Sequence, residues 1–335
     1  MPDEKLATID RAPAILALEP GAAFADRVAE ALAAERVPVE ERVFEDGEVK
    51  VRPEADLGRR HAVIVQSLDG GPDGAVHDRL CRVLFLAGAL RDAGVARLTF
   101  VVPYLAYARK DRRTKPWDPL SLRYVAQMLE AVGVETVMAL EVHDLPAFEN
   151  AFRIPTVPLD TYRLFAERLA PDLADEDVVV VAPDPGGLKR AQLFQEMLEQ
   201  QLGRPLGRAV ADKRRSGGKV TGDRLYGDVE GRRPVIIDDL VSSGGTLARA
   251  AAALVEAGAE PAIVAVAHGV FSTDAAETLK GAPIARVLVT DSIDPPRLDP
   301  HTLPSLEVVS CTGLVAAAIG CLDRGGSITA LLGRS

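Results

Sequence analysis

Three cysteines, scattered at 81, 311 and 321, are too few and too dispersed for a disulfide framework, and no CxxC pair exists to hold a metal. They read as core filler. Equally missing is any uninterrupted apolar run near the roughly 18 residues of a membrane span. The first residues, MPDEKLATID, are too acidic and polar for a secretory signal. These absences predict a cytoplasmic chain with no membrane association. No GxxxxGK[ST] loop occurs, the nearest match being SGGKV, so P-loop kinases are excluded. A net charge of −10 leaves general nucleic-acid binding a poor expectation.

What the chain does have is length and apolar content: 335 residues, 47% of them hydrophobic, enough for about two domains with sizeable cores. Its basic residues cluster at Arg109, Lys110, Arg112, Arg113 and Lys115, and again at Lys213, Arg214 and Arg215, which marks local sites for anions. One phrase recurs three times: a helical pattern, a glycine, then a short apolar run. The copies are LRDAGVARLTFVVPYL, LEAVGVETVMALEVHD and LVEAGAEPAIVAVAHG, with Gly94, Gly133 and Gly258 at the left-handed position that closes a helix. Further strand-like runs are HAVIVQSL, VVVVAPD and RPVIIDDL. Alternating helices and buried strands predict an α/β fold built on mainly parallel sheets flanked by helices. The two prolines in RIPTVPLDTY (153–162) suggest a boundary between two halves of similar rhythm, 1–157 and 158–335. GLVAAAIGCLDRGGSITALL reads as one amphipathic helix and a closing turn.

Ligands of such sheets collect at the carboxyl ends of the strands, where Tyr104 to Arg113, His143, Asp184, Asp238, Asp239 and His268 are expected. The densest stretch is VIIDDLVSSGGTLARAA, 235–251. Ser242, Ser243, Gly244, Gly245 and Thr246 follow a buried strand and open a helix, so backbone N–H groups and the helix dipole favour a phosphate there. An ordinary serine-glycine turn would look the same. The adjacent Asp238 and Asp239 would repel a phosphate and are better matched to hydroxyls or a metal ion. A sugar phosphate supplies both an anion and hydroxyls.

That stretch resembles the phosphoribosyl-pyrophosphate signature of the type I phosphoribosyltransferase fold. With FEDGEVKVR, VVPYLAYARKDRR, EVHDLPAFENAF, VVAPDPGGLKRA, DKRRSGGKVTGDRLYGDV and AVAHGVFSTDAAETL in the same order, the chain is similar to the ribose-phosphate diphosphokinase family from about residue 12 to its end. The resemblance implies two similar phosphoribosyltransferase-like domains. It also implies transfer of the diphosphoryl group of ATP to the 1-hydroxyl of ribose 5-phosphate, with Mg²⁺, in a homo-oligomer whose ATP site is shared between subunits.

Residue by residue, the resemblance makes Lys213 and Arg215 catalytic, on a mobile loop that closes over the triphosphate, Arg215 also meeting ribose 5-phosphate. Phe44, Asp46, Gly47, Glu48, Arg109, Lys110 and His143 fall to ATP, His143 and Asp184 to the metal. Asp238, Asp239 and Ser242 to Thr246 fall to ribose 5-phosphate. On their own, Asp46-Gly47 is a plain hairpin turn, His143 a loop histidine, Asp184 an N-cap and the DKRRSGG stretch a hairpin tip. Three positions depart from the family pattern. Lys110 stands where a glutamine is common, Glu141 where an aspartate is, and Ser242 where one branch has an aspartate. His61, His77 and His301 are expected at the surface or in loops. A phosphoribosyltransferase, or an inactive paralogue assembled with a true synthetase, are the rival readings.

Overall fold

The apolar runs form strands in which nearly every side chain is buried: β1 (Ala14–Leu16), β5 (His61–Val65), β9 (Val178–Ala182) and β13 (Ala262–Gly269) expose none of theirs. Continuous burial is what a parallel strand covered on both faces requires. The computed structural model describes residues 12–71, 74–216 and 219–333, and between 213 and 224 the backbone alone. By contacts the chain divides into two units. One runs to Leu159 and takes in the segment from Thr312, and the other is Asp160–Cys311.

In the first unit the order is β1, α1 (Ala22–Leu32), β2 (Glu35–Arg36), β3 (Val39–Val43), β4 (Val49–Pro53), β5, α2 (Val76–Asp92), β6 (Arg97–Val102), α3 (Ser121–Ala131), β7 (Thr136–Leu140), α4 (Leu145–Ala151) and β8 (Thr156–Leu159). Six of these strands form a parallel sheet in the order β2-β1-β5-β6-β7-β8, while β3 and β4 make a separate antiparallel hairpin. The proline-bearing stretch at 153–162 holds the division between the units, which falls after Leu159, two residues beyond the expected place. Its middle is β8, and Pro158 is tolerated because β8 is an edge strand, which lacks one neighbour to donate to.

The second unit contains α5 (Tyr162–Leu173), β9, α6 (Leu188–Leu202), β10 (Gly207–Ser216), β11 (Lys219–Tyr226), β12 (Arg233–Val241), α7 (Gly245–Glu256), β13, α8 (Ala275–Lys280), β14 (Ile284–Thr290) and β15 (Leu306–Val309). Its sheet runs β11-β10-β9-β12-β13-β14-β15, parallel except for the β10–β11 pair. Two cores cover it. One gathers Leu247, Ala250, Leu254 and Leu279 from α7 and α8, the other Phe165, Leu169, Phe194 and Leu198 from α5 and α6. Gly94, Gly133 and Gly258 all take positive φ after their helices, as the recurring phrase predicts.

Beyond Cys311 come α9 (Thr312–Arg324) and α10 (Ile328–Leu331). The sequence reading placed them in the second half, but they group with the first unit, where α9 packs on α1. This segment also explains His61, expected at the surface and found buried at the head of β5. Its Nε2 lies 2.9 Å from Thr99 Oγ1 and its Nδ1 3.0 Å from Asp323 of α9, so the returning helix supplies the polar partner a buried imidazole needs. Burial, the largest influence, holds its pKa below the ordinary value. Cys81 is exposed and Cys321 partly so, leaving only Cys311 as core filler. Among the described residues no helix is long and apolar enough to cross a membrane.

Candidate functional site

The second sheet reverses direction at β9. From β9 the chain moves to β10 on one side and later returns to β12 on the other, so the carboxyl ends of β9 and β12 flank a topological switch point. The chemistry-bearing residues of this unit stand there. Asp184 follows β9 by two residues, Asp238 and Asp239 lie near the end of β12, and Ser242 to Thr246 join β12 to α7.

The Ser242 to Thr246 loop is built as an amide cradle. Gly244 is the N-cap of α7 in the left-handed region, φ 78°, and donates no side-chain cap. Only a long 3.5 Å contact from Gly245 N to Ser243 Oγ occupies the first amides, so the helix start keeps donors for a ligand. A Cβ at Gly244 would stand 2.9 Å from Leu279 Cδ2 of α8, so backbone conformation and packing both exclude a side chain there. The turn after β13 braces the loop from behind, Phe271 N donating to Val241 O and Ser272 N to Ser242 O, both at 3.1 Å. Above it, Arg249 Nη2 donates to Thr246 Oγ1 at 3.3 Å.

Asp239 is buried and Asp238 nearly so. Asp238 Oδ1 accepts from Asp239 N at 2.9 Å and from Arg190 Nη1 at 3.2 Å, and Oδ2 takes no part in either bond. Arg190 Nη2 also lies 3.5 Å from Asp239 Oδ1. Burial first, and then the neighbouring Asp239, push the Asp238 carboxyl up to about 8, while Arg190 pulls it down. Asp184 Oδ1 accepts from Gly186 N at 2.9 Å, so the N-cap role foreseen for it is real and leaves one carboxylate oxygen over.

Sequence reasoning overlooked Arg190 and Arg249. Arg190 was inside the quoted VVAPDPGGLKRA, but its partners are 48 and 49 residues away. Arg249 was legible as a cation one helical turn after Thr246.

In the first unit, Phe44 to Glu48 form the tip of the β3–β4 hairpin. Phe44 N donates to Glu48 O at 2.8 Å, Gly47 N to Phe44 O at 3.0 Å, and Glu48 N to Asp46 Oδ1 at 3.0 Å. Phe44 is more than a third exposed, with the Arg42 guanidinium 4.9 Å over its ring. Arg109 and Lys110 are exposed in the segment after β6, and His143 is exposed between β7 and α4. The backbones of Lys213 and Arg215 belong to β10, paired with Asp223 and Val220 of β11. Their side chains lie outside the described residues.

A buried parallel sheet with an amide loop and an acid pair at its switch point defines an α/β unit of the phosphoribosyltransferase kind. Residues 14–133 match the model of the N-terminal domain of ribose phosphate pyrophosphokinase, and 218–333 that of the phosphoribosyl synthetase-associated domain. The chain is 33% identical over 309 residues to a ribose-phosphate pyrophosphokinase of Caldanaerobacter subterraneus, covering 92% of this chain and 94% of that protein. It is 32% identical over 288 residues to one of Aquifex aeolicus, covering 86% and 88%. A crystal structure of phosphoribosylpyrophosphate synthetase from Mycobacterium smegmatis superposes with a TM-score of 0.84 at 29% identity, over 94% of this chain and 100% of the other. The chain belongs to the ribose-phosphate pyrophosphokinase family.

Proposed function

We propose that the protein transfers the β,γ-diphosphoryl group of ATP to the 1-hydroxyl of ribose 5-phosphate, giving 5-phosphoribosyl 1-pyrophosphate and AMP. The observation that carries this is the uncapped Ser242 to Thr246 loop beside a buried acid pair at one switch point. The loop receives the 5-phosphate, with Arg249 as an added cation, and Asp238 and Asp239 accept from the ribose 2- and 3-hydroxyls. Ser242, in place of an acid, keeps like charge away from that phosphate. On the nucleotide side, Phe44 stacks on adenine, Asp46, Gly47 and Glu48 contact it by hydrogen bonds, and Arg109, Lys110 and His143 complete the pocket. In this reading the FEDGE hairpin serves ATP on a neighbouring subunit, so the active form is a homo-oligomer.

Phosphoryl transfer asks mainly for positioning and for charge to offset the polyphosphate. Lys213 and Arg215 supply that charge. Among the described residues no three His, Cys, Asp or Glu side chains gather to hold a cation by themselves. Asp184, whose Oδ1 alone is used by Gly186 N, keeps a carboxylate oxygen suited to Mg²⁺, a hard ion otherwise completed by water and substrate phosphates. His143, a poor donor for so hard an ion, is assigned beside it on the family resemblance alone. When bound, the ion neutralises charge on the triphosphate.

A coupled assay should detect AMP release from ATP only when ribose 5-phosphate is present. AMP release without the sugar phosphate, or none with it, would refute the proposal. Gly244→Ala forces a left-handed alanine, at about 1–2 kcal/mol, and displaces Leu279. It is expected to raise KM for ribose 5-phosphate about tenfold and to leave KM for ATP within about twofold, read in the same assay.

A further inference from the structure

We infer that Arg190 is a positioning residue for the pentose, tying the Asp238 and Asp239 side chains together so that the pair reads a vicinal diol rather than a single hydroxyl. This rests on the assignment of ribose 5-phosphate to the Ser242 to Thr246 pocket.

Arg190 stands in the first turn of α6, which follows β9 through Asp184 and the two glycines, and α6 packs on both β9 and β12. The helix therefore brings a cation from one side of the switch point to the acid pair on the other. Its side chain is only 11% exposed, and its two terminal nitrogens face one oxygen of each aspartate, at 3.2 and 3.5 Å. A guanidinium is planar, with donors at fixed separation, so one group contacting both carboxylates sets the spacing between them. An ammonium is a point charge and sets no such spacing.

The pair is also one that needs holding. Two adjacent buried carboxylates repel each other, and this repulsion adds to burial, the larger cause, in raising the Asp238 pKa, which Arg190 opposes. Without the bridge the two side chains relax apart or share a proton, and either change spoils simultaneous acceptance from two neighbouring hydroxyls. Arg190 itself need not touch the sugar.

The discriminating experiment compares ribose 5-phosphate with 2-deoxyribose 5-phosphate as acceptors for wild type, Arg190→Ala and Arg190→Lys, with AMP as readout and thermal melting as the control for folding. Sites that bond a substrate hydroxyl reject the analogue lacking it strongly. Wild type is expected to prefer ribose 5-phosphate. In Arg190→Ala the ratio of kcat/KM values falls at least about tenfold, chiefly because KM for ribose 5-phosphate rises, while KM for ATP stays within about twofold. Arg190→Lys keeps the charge without the bridge and recovers only part of the ratio. A purely structural arginine would lower the melting temperature and both rates together, leaving the ratio unchanged. That result in a folded variant overturns the inference, and if the alanine variant does not fold, the lysine variant decides it by the same ratio. A wild type inactive with both sugars fails the pocket assignment instead.

Discussion

Replacing Lys213 with alanine is expected to lower kcat by about 100- to 1000-fold, the usual consequence of removing one preorganised donor from developing charge. The transition state for moving a phosphoryl group is loose, and its charge spreads over oxygens that the protein can only surround with cations and amides. With no nucleophile to build, losing a cation removes a large part of the catalysis. The amide loop and the acid pair belong to β12 and α7, whereas Lys213 belongs to β10. Binding of the sugar phosphate should therefore persist, with KM for ribose 5-phosphate within about threefold of wild type. Steady-state AMP formation by the purified variant measures both quantities. A kcat within fivefold of wild type would remove Lys213 from the chemistry.

The second large effect is set by pH. Asp238 must be ionised to accept from two donors at once, and burial together with Asp239 pushes its carboxyl up to about 8. A raised carboxyl is protonated below its pKa, so the competent form is present above about pH 8 and lost as pH falls. The value of kcat/KM for ribose 5-phosphate reports the free enzyme and should drop about tenfold per unit, near 100-fold by pH 6. The second ionisation of the sugar phosphate, near 6, adds to the fall only at the acid end. Asp238→Asn should flatten the limb while lowering its plateau. A profile level from pH 6 to 8 in the wild type would show that Asp238 is already ionised or not needed.

Much of this architecture was legible because parallel strands buried on both faces write themselves as continuous apolar runs. VVVVA and AIVAVA could hardly be anything else once Gly94, Gly133 and Gly258 marked the helix ends. The SSGGT loop was legible too, since serine and glycine after a buried strand carry a local signal. What escaped depends on partners remote in sequence. Nothing in HAVIVQSL shows that His61 is covered, because its cover, Asp323, comes 262 residues later on a helix that returns to the first unit. The prolines at 155 and 158 marked the division between the units but not the strand that carries Pro158, because a proline in an edge strand looks, locally, like a proline in a loop. Arg190 carries no local signal, because the two carboxylates it meets lie on β12.

The central claim is that both terminal phosphoryl groups of ATP pass together to the sugar bound at the Ser242 to Thr246 loop. Phosphorus NMR of a mixture of protein, ATP, Mg²⁺ and ribose 5-phosphate tests it most directly. The β and γ resonances of ATP should give way in equal amounts to a sugar-linked diphosphate, with one AMP for each and no ADP, and the conversion should be slowed by Gly244→Ala at subsaturating sugar. Formation of ADP with a singly phosphorylated sugar, or of free pyrophosphate with no sugar-linked diphosphate, would contradict it.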